Sequence, residues 1–176
     1  MRQTSSPDET ALLGFLCGEP KHGYAIHQEL ADAAGLGPVW RLKLSLLYAQ
    51  LAKLEEKGFV SSWTEPQEGK PPRKVFQLTE TGERAFLDWM RQPVSSGRSF
   101  RLEFLVKLYF ARREGEAAAA RLLTAQRREC LSWLATEQAL KQGDEGDGRE
   151  YGRLVHLFRV GQIQAMVDWL DQCRQT

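Results

Sequence analysis

A leucine repeat that leads directly into a β pattern narrows the possible folds of this 176-residue chain. Leu44, Leu47, Leu51 and Leu54 are spaced i, i+3, i+7 and i+10, which places them on one face of a helix that Gly58 is expected to end. A helix with a single apolar face must pack against other elements to be stable. The segments on either side of the repeat therefore decide the fold.

The segment after the repeat predicts a β-hairpin followed by a helix. Apolar and polar residues alternate in Phe59–Thr64 and Lys74–Thr79, which is typical of strands. Residues 65–73 between them are rich in proline, glycine and glutamate and predict a turn throughout. Thr79 is expected to cap the next helix, which ends near Arg91.

Two helices are predicted before the repeat. Ser6 and Pro7 suit the cap and first position of a helix that ends near Gly18, and a second helix is predicted over residues 23–34. Ser45 is the expected cap of the third. The order helix, helix, helix, hairpin, helix is that of a winged helix-turn-helix: three helices, a two-stranded β-wing and an exit helix.

The second half of the chain predicts an all-α domain. Proline, serine and glycine in residues 93–99 indicate a linker, so we expect a winged-helix domain at 1–92 and a helical dimerisation domain at 100–176. Gly161, inside an apolar helix, hints at close approach of a neighbouring helix. The glycine-rich segment 143–148 is expected to separate the last two helices. The three predicted helices are 100–113, 116–141 and 150–174. The whole chain is thus expected to be mostly α.

The outer face of the third helix predicts contact with double-stranded DNA. Two small residues, Ala49 and Ala52, let another surface approach closely, and an alanine methyl can meet a thymine methyl. For Tyr48, a core position and a phosphate contact remain equally open. The residues expected to reach bases or phosphates from this helix and its start are Lys43, Ser45, Tyr48, Ala49, Gln50 and Lys53.

The predicted wing adds positive charge. Lys70, Arg73 and Lys74 flank two prolines, which limit the entropy lost when the cations meet phosphates. Residues 41–74 hold seven cations and four anions, although the formal net charge of the whole chain is only +1. A basic wing beside a helix of this kind favours nucleic-acid binding over a merely solvated loop.

Other function classes find little support in the sequence. The three cysteines are widely separated, which favours reduced thiols and a cytoplasmic protein. The cysteines and histidines lack metal-ligand spacing, no catalytic grouping is present, and no apolar run is long enough to span a membrane. We expect neither an enzyme nor a bound cofactor or metal.

Three stretches of the chain resemble the PadR family of transcriptional regulators: residues 13–26, 47–60 and 69–82, which include His22-Gly23-Tyr24 and Gly69-Lys70-Pro71-Pro72-Arg73. The resemblance covers about residues 11–90, and a looser one continues beyond the linker. It implies a homodimeric, DNA-binding regulator, often a repressor released by a small, frequently aromatic, compound. Trp89, Trp133 and Trp169 are candidates for an effector pocket, although core or interface positions are the commoner use of tryptophan.

One alternative remains at this point. A winged-helix module can serve protein–protein contact without specific DNA binding, with its basic wing against an acidic partner. Binding that depends steeply on salt and on DNA sequence distinguishes a regulator from such a module.

Overall fold

The computed structural model describes residues 7–32, 34–141 and 150–174. The predicted cap Ser6 and the predicted break at residues 143–148 lie outside the described residues. Most of the described chain is helical, with one small antiparallel sheet, which confirms the predicted fold class. A 3₁₀ turn, Gly14–Leu16, follows the first helix, and a π-helical stretch, Phe100–Phe104, joins the fifth to the sixth. The helices are α1 (Pro7–Leu13), α2 (Gly23–Ala31), α3 (Leu44–Glu56), α4 (Glu80–Arg91), α5 (Gly97–Ser99), α6 (Leu105–Glu114), α7 (Glu116–Lys141) and α8 (Glu150–Cys173); the strands are β1 (Lys21–His22), β2 (Val60–Gln67) and β3 (Lys70–Leu78).

The sheet has three strands in the order β1-β3-β2, one more than the sequence predicts. Strand β1 is only two residues long, too short for an alternating pattern, and pairs with Val75 and Phe76 of β3. His22 of this strand also caps α2, because its Nδ1 accepts a hydrogen bond from the backbone N–H of Ala25 at 3.0 Å. Helix α2 ends at Ala31, three residues earlier than predicted.

The wing is longer than predicted. Residues 65–73 are not a turn throughout: β2 and β3 extend until only Glu68 and Gly69 separate them, and Gly69 supplies the positive φ of +67°. The prolines at 71 and 72 are tolerated because β1 pairs only with residues 75 and 76, so this part of β3 has a neighbour on one side. A shift in register between Glu65 and Gln67 accommodates Pro66.

Helix α3 lies on the core through Leu47, Leu51 and Leu54, each at most 1% exposed. Leu44, the first residue of the predicted stripe, is 36% exposed. The prediction that Ser45 caps this helix is wrong, because the helix begins one residue before it, with Lys43 at the N-cap and no side-chain capping bond. The predicted end is confirmed, since Gly58 adopts a φ of +72°.

Helix α4 begins and ends as predicted. The hydroxyl of Thr79 accepts a hydrogen bond from the Gly82 N–H at 3.0 Å and donates to the carbonyl of Gly58 at 2.8 Å, close to the carbonyl of Phe59 at 3.1 Å. A Cβ at position 82 would lie 2.0 Å from that same carbonyl oxygen, so only glycine permits this approach. The exit helix is thereby fixed to the base of the wing.

The two halves of the chain share one hydrophobic core. Phe110 of α6 packs edge-on against Phe15 and Phe86 of the winged helix, with 5.3 Å between ring centroids in each pair. A Cβ at Gly14 would lie 2.6 Å from the Phe110 ring. Helix α6 therefore completes the core of the winged helix as well as that of the helical half.

The segment predicted as a linker is packed. Val94 is buried, and the side-chain amide of Gln126 on α7 bonds both of its backbone groups, at 2.7 Å to the N–H and 3.2 Å to the carbonyl. Residues 97–99 already form helix α5. The division of the chain into 1–92, 93–99 and 100–176 stays a prediction about folding units, but the middle segment is held in place.

Helices α7 and α8 pack against each other and follow the predicted bounds closely. Ile163, Met166, Val167 and Leu170 form the buried face of α8. Nothing lies within 4 Å of a Cβ built at Gly161, so the described chain does not make the close helix approach that this glycine suggested. In the described residues, no helix combines the length and apolarity needed to cross a membrane.

Candidate nucleic-acid interface

The outer face of α3 is apolar and open. Ser45, Ala49 and Ala52 are exposed, as predicted from the helical spacing, and Leu46 joins them with 48% exposure. Ser45 is the one hydroxyl among these four side chains. Such a face offers close approach and methyl contacts more than hydrogen bonds, which suits the floor of a major groove.

Tyr48 combines the two roles left open by the sequence. Its ring is 39% exposed, yet it covers Gly23 at the start of α2, where a Cβ would lie 2.6 Å from the ring. Its ring centroid lies 6.5 Å from that of Phe76 in β3. The side chain therefore holds α2, α3 and β3 together while one edge of the ring stays accessible.

Gln50 corrects the sequence analysis. It was expected on the flank of the outer face, but it is 7% exposed and turned into the protein. Its buried Oε1 has no hydrogen-bond partner within the described part of the chain. A helical wheel gives the angle of a side chain but not how far the neighbouring elements reach around the helix, and here they cover this position.

Lys53 is 60% exposed at its side chain and faces outward near the end of α3. It lies 3.5 Å from Glu9 of α1, which also receives a hydrogen bond from Lys57 at 2.8 Å. The bond from Lys57 holds the pKa of the nearly buried Glu9 carboxyl below its usual range, against the effect of burial. Lys43, at the helix start, is exposed.

The wing cations lie beside carboxylates. Arg73 stands directly opposite Glu65 in the hairpin register and donates from Nε and Nη2 to the same carboxylate oxygen, at 2.9 and 2.8 Å. Lys74 points to the other face, where its ammonium donates to Glu55 of α3 at 2.6 Å. Lys70 begins β3 immediately after the turn.

The three tryptophans do not share one cavity in the described residues. Trp89 donates a hydrogen bond to Glu103 at 3.1 Å, and Trp169 packs edge-on against Phe100 and Phe104. Both tryptophans therefore contact the π-helical stretch, but at different residues of it. Trp133 donates to Glu129 of its own helix at 2.9 Å. Two surface depressions of the described chain, one along Ala120–Arg128 of α7 and one beside Cys17 and Gln77, are lined by other residues. The role of the three tryptophans in binding an effector stays a prediction.

Comparison with known proteins gives matches on both halves of the chain. The transcriptional regulator PadR-like family matches residues 12–88, and the virulence activator alpha C-terminal family matches residues 100–176. Residues 12–88 thus form a domain of the PadR-like family of transcriptional regulators. Regulators of the PadR family are DNA-binding proteins and not enzymes, which agrees with the sequence analysis.

Two relatives show how far the similarity extends. The chain is 32% identical over 100 residues to the negative transcriptional regulator PadR of Bacillus subtilis; the match covers 57% of this chain and 54%, about half, of that protein. It is 27% identical over 177 residues to a probable transcriptional regulator of Mycobacterium tuberculosis, covering 92% of this chain and 93% of that protein.

Solved structures of the PadR family are also similar. Bacillus subtilis PadR in complex with operator DNA is 26% identical, with a TM-score of 0.48 and coverage of 94% of this chain and 96% of that one. The same protein in complex with p-coumaric acid gives 25% identity, a TM-score of 0.45 and 96% coverage of both chains.

Three carboxylates of the candidate interface were not among the residues predicted from the sequence. Glu9, Glu55 and Glu65 each accept a hydrogen bond from a basic residue of α3 or the wing. Two are far from their partners in sequence, so no local spacing marks them. Glu65 and Arg73 were detectable only with the turn placed at Glu68-Gly69, which puts them opposite each other.

Proposed function

We propose that this PadR-family chain binds duplex DNA as a homodimer and represses transcription, with α3 in the major groove and the wing against the phosphate backbone. The observation that carries the proposal is the open outer face of α3, where small and apolar side chains lie between Lys43 at one end and Lys53 at the other. A negative regulator among the relatives supports repression. We place the protein in the cytoplasm, in line with the reduced thiols that the sequence predicts.

The homodimer is supported by one face of α8. Tyr151, Leu154, Leu157 and Phe158 are between 53% and 80% exposed and lie on the side of the helix opposite its buried face. Gly161 and Ala165 continue this side with small, exposed residues. Large exposed apolar faces of this kind mark interaction sites. A second copy of the chain would cover this face and place two α3 helices on successive major grooves, about 34 Å apart.

A small aromatic effector is supported more weakly. Trp89 and Trp169 contact the π-helical stretch at the junction of the two halves. A compound that binds there would change the position of α6, which is part of the core of the winged helix. Quenching of tryptophan emission by p-coumaric acid, a carboxylated aromatic ring, together with loss of DNA binding, tests this role.

The main test is fluorescence anisotropy with the DNA upstream of the protein's own gene, at salt concentrations between 50 and 200 mM. We expect tight binding that falls steeply with salt. Lys53→Ala and Arg73→Ala should weaken this binding several-fold without lowering the melting temperature appreciably. Binding by both variants equal to that of the parent contradicts the assigned face. No binding to DNA even at low salt favours a protein partner instead.

A further inference from the structure

The charge balance of the wing differs from what its sequence suggests. Arg73 carries a positive charge on the outer part of the hairpin, but both of its donated hydrogen bonds go to one oxygen of Glu65. The two side chains are 43% and 39% exposed, so the pair is open to solvent and to an approaching ligand. At this position the wing presents an ion pair and not a free cation.

This ion pair competes with DNA. A phosphate that binds Arg73 must displace Glu65, and the displaced carboxylate then stands close to the phosphate backbone and repels it. The hydrogen bonds from Arg73 also hold the pKa of the Glu65 carboxyl below its usual range, so this carboxylate stays charged at any pH at which the protein is handled near neutrality. The competitor is therefore permanent.

We infer that Glu65 restrains the affinity of the protein for DNA by competing with phosphate for Arg73, an inference that rests on the proposed function. Binding that depends on phosphate contacts alone is weakened most noticeably, since such complexes have no base contacts to compensate. Glu65 thereby limits how much of the protein is held on DNA that lacks the operator sequence.

The inference does not extend to Glu55, because the hydrogen bonds of this carboxylate join α3 to the wing. It accepts hydrogen bonds from Lys74 at 2.6 Å and from the hydroxyl of Ser62 at 2.5 Å, and so joins the end of α3 to both strands of the wing. Its removal would change the position of the wing as well as its charge. The hydrogen bonds described for the Glu65 side chain come from Arg73 and Trp63, both within the hairpin, so they do not join the wing to α3.

The test compares Glu65→Gln with Asp88→Asn, an exposed position of α4 that gives the same change in net charge. Anisotropy is measured on a duplex of random sequence at several salt concentrations. We expect Glu65→Gln to bind about threefold or more tightly than the parent and to steepen the slope of log K against log salt by about 0.9, the value for one further phosphate contact. Asp88→Asn should change neither by as much.

A double substitution shows whether Arg73 mediates the effect. In the background of Arg73→Gln, adding Glu65→Gln should give no further gain in affinity, because the cation that it frees is gone. An equal gain in both backgrounds, or a gain for Glu65→Gln no larger than that for Asp88→Asn, overturns the inference while leaving the proposed function intact. Failure of the parent and of Glu65→Gln to bind any duplex at low salt overturns the proposed function itself.

Discussion

Helices α3 and α8 both turn apolar residues away from the core, but they do so with different side chains. The outward side of α3 carries Ala49 and Ala52, with Leu46 as its largest exposed member. The outward side of α8 carries Tyr151 and Phe158, which are 80% and 67% exposed. Cations border the first face, whereas the second face forms a continuous apolar stripe.

The difference indicates what each face contacts. Small side chains leave room for a rigid, hydrated surface to approach the backbone of α3, and the nearby cations compensate phosphate charge. Large apolar side chains are stable only when another apolar surface covers them, since each remains costly in water. This contrast agrees with the proposal that α3 contacts DNA, bound reversibly, and that α8 contacts a second copy of the chain, bound for long periods.

Replacing Phe158 by Asp should have the largest effect. A charge in the centre of the α8 stripe prevents its burial, so the dimer is lost and DNA affinity falls by about a hundredfold or more, as two linked sites become one. Sedimentation velocity and anisotropy measure the two effects. Arg153→Gln, on the same helix and with the same change in charge, is the control. A dimeric Phe158→Asp variant would show that α8 is not the interface.

Replacing Ala49 by Asp tests the α3 side of the comparison. A carboxylate at the centre of this face meets the negative charge of DNA, so we expect about a tenfold or greater loss of affinity with the dimer intact. Ala135→Asp, an exposed mid-helix position of α7, has the same intrinsic cost to helix stability. If both variants bind DNA equally well, α3 does not face the duplex.

Replacing thymine by uracil in the operator sharpens the same assignment from the DNA side. Leu46 and Ala49 offer apolar contact where hydrogen-bonding side chains are few, so we expect thymine methyl groups to be read. Loss of one buried methyl should weaken binding about fourfold. Uracil placed outside the protected sequence serves as the control. Unchanged affinity for every substituted site would mean that α3 reads the bases by other contacts.

The smallest effects concern the ion pairs that anchor the two helices. Glu9 ties α3 to α1 from a nearly buried position, whereas Asp171 ties α8 to α7 through Arg127 at the surface. We expect Glu9→Gln to lower the melting temperature at pH 7 by about 2–4 °C, the shift that about 1 kcal/mol produces in a chain of this size, because the glutamine oxygen still accepts a weaker, neutral hydrogen bond. Asp171→Asn should lower it less.

The dependence on pH checks the cause. The Lys57 bond lowers the pKa of Glu9 below that of an ordinary glutamate, so the stabilisation is present above the ordinary pKa and is lost as the pH falls through the lowered one. Calorimetry should therefore show the difference between parent and Glu9→Gln disappearing in acid. A difference that persists at the lowest pH indicates loss of packing and not loss of the ion pair.

Much of the fold was predictable because its signals are local. The buried leucines of α3, the cap at Thr79 and the bounds of α7 depend on residues within a few turns of one another. The wing was placed correctly but drawn too short, because proline and glycine indicate a turn unless the strand pairing that tolerates them is known. Strand pairing joins residues that are distant in sequence, so local patterns could not predict it.

The interface was predictable as a face but not as a set of contacts. The helical spacing identified Ala49 and Lys53 as outward residues, and the structure places them there. The helical spacing gave the wrong placement for Gln50, because the burial of this residue depends on how far neighbouring elements extend around α3. The pairing of Lys53 with Glu9 joins residues 44 positions apart, and only the packing of α1 on α3 brings them together.

The amide of Gln126 makes the two halves of the chain mechanically continuous. By bonding both backbone groups of Val94, it fixes the segment that joins the winged helix to the helical half. A displacement of α7 is therefore expected to move the segment that follows α4.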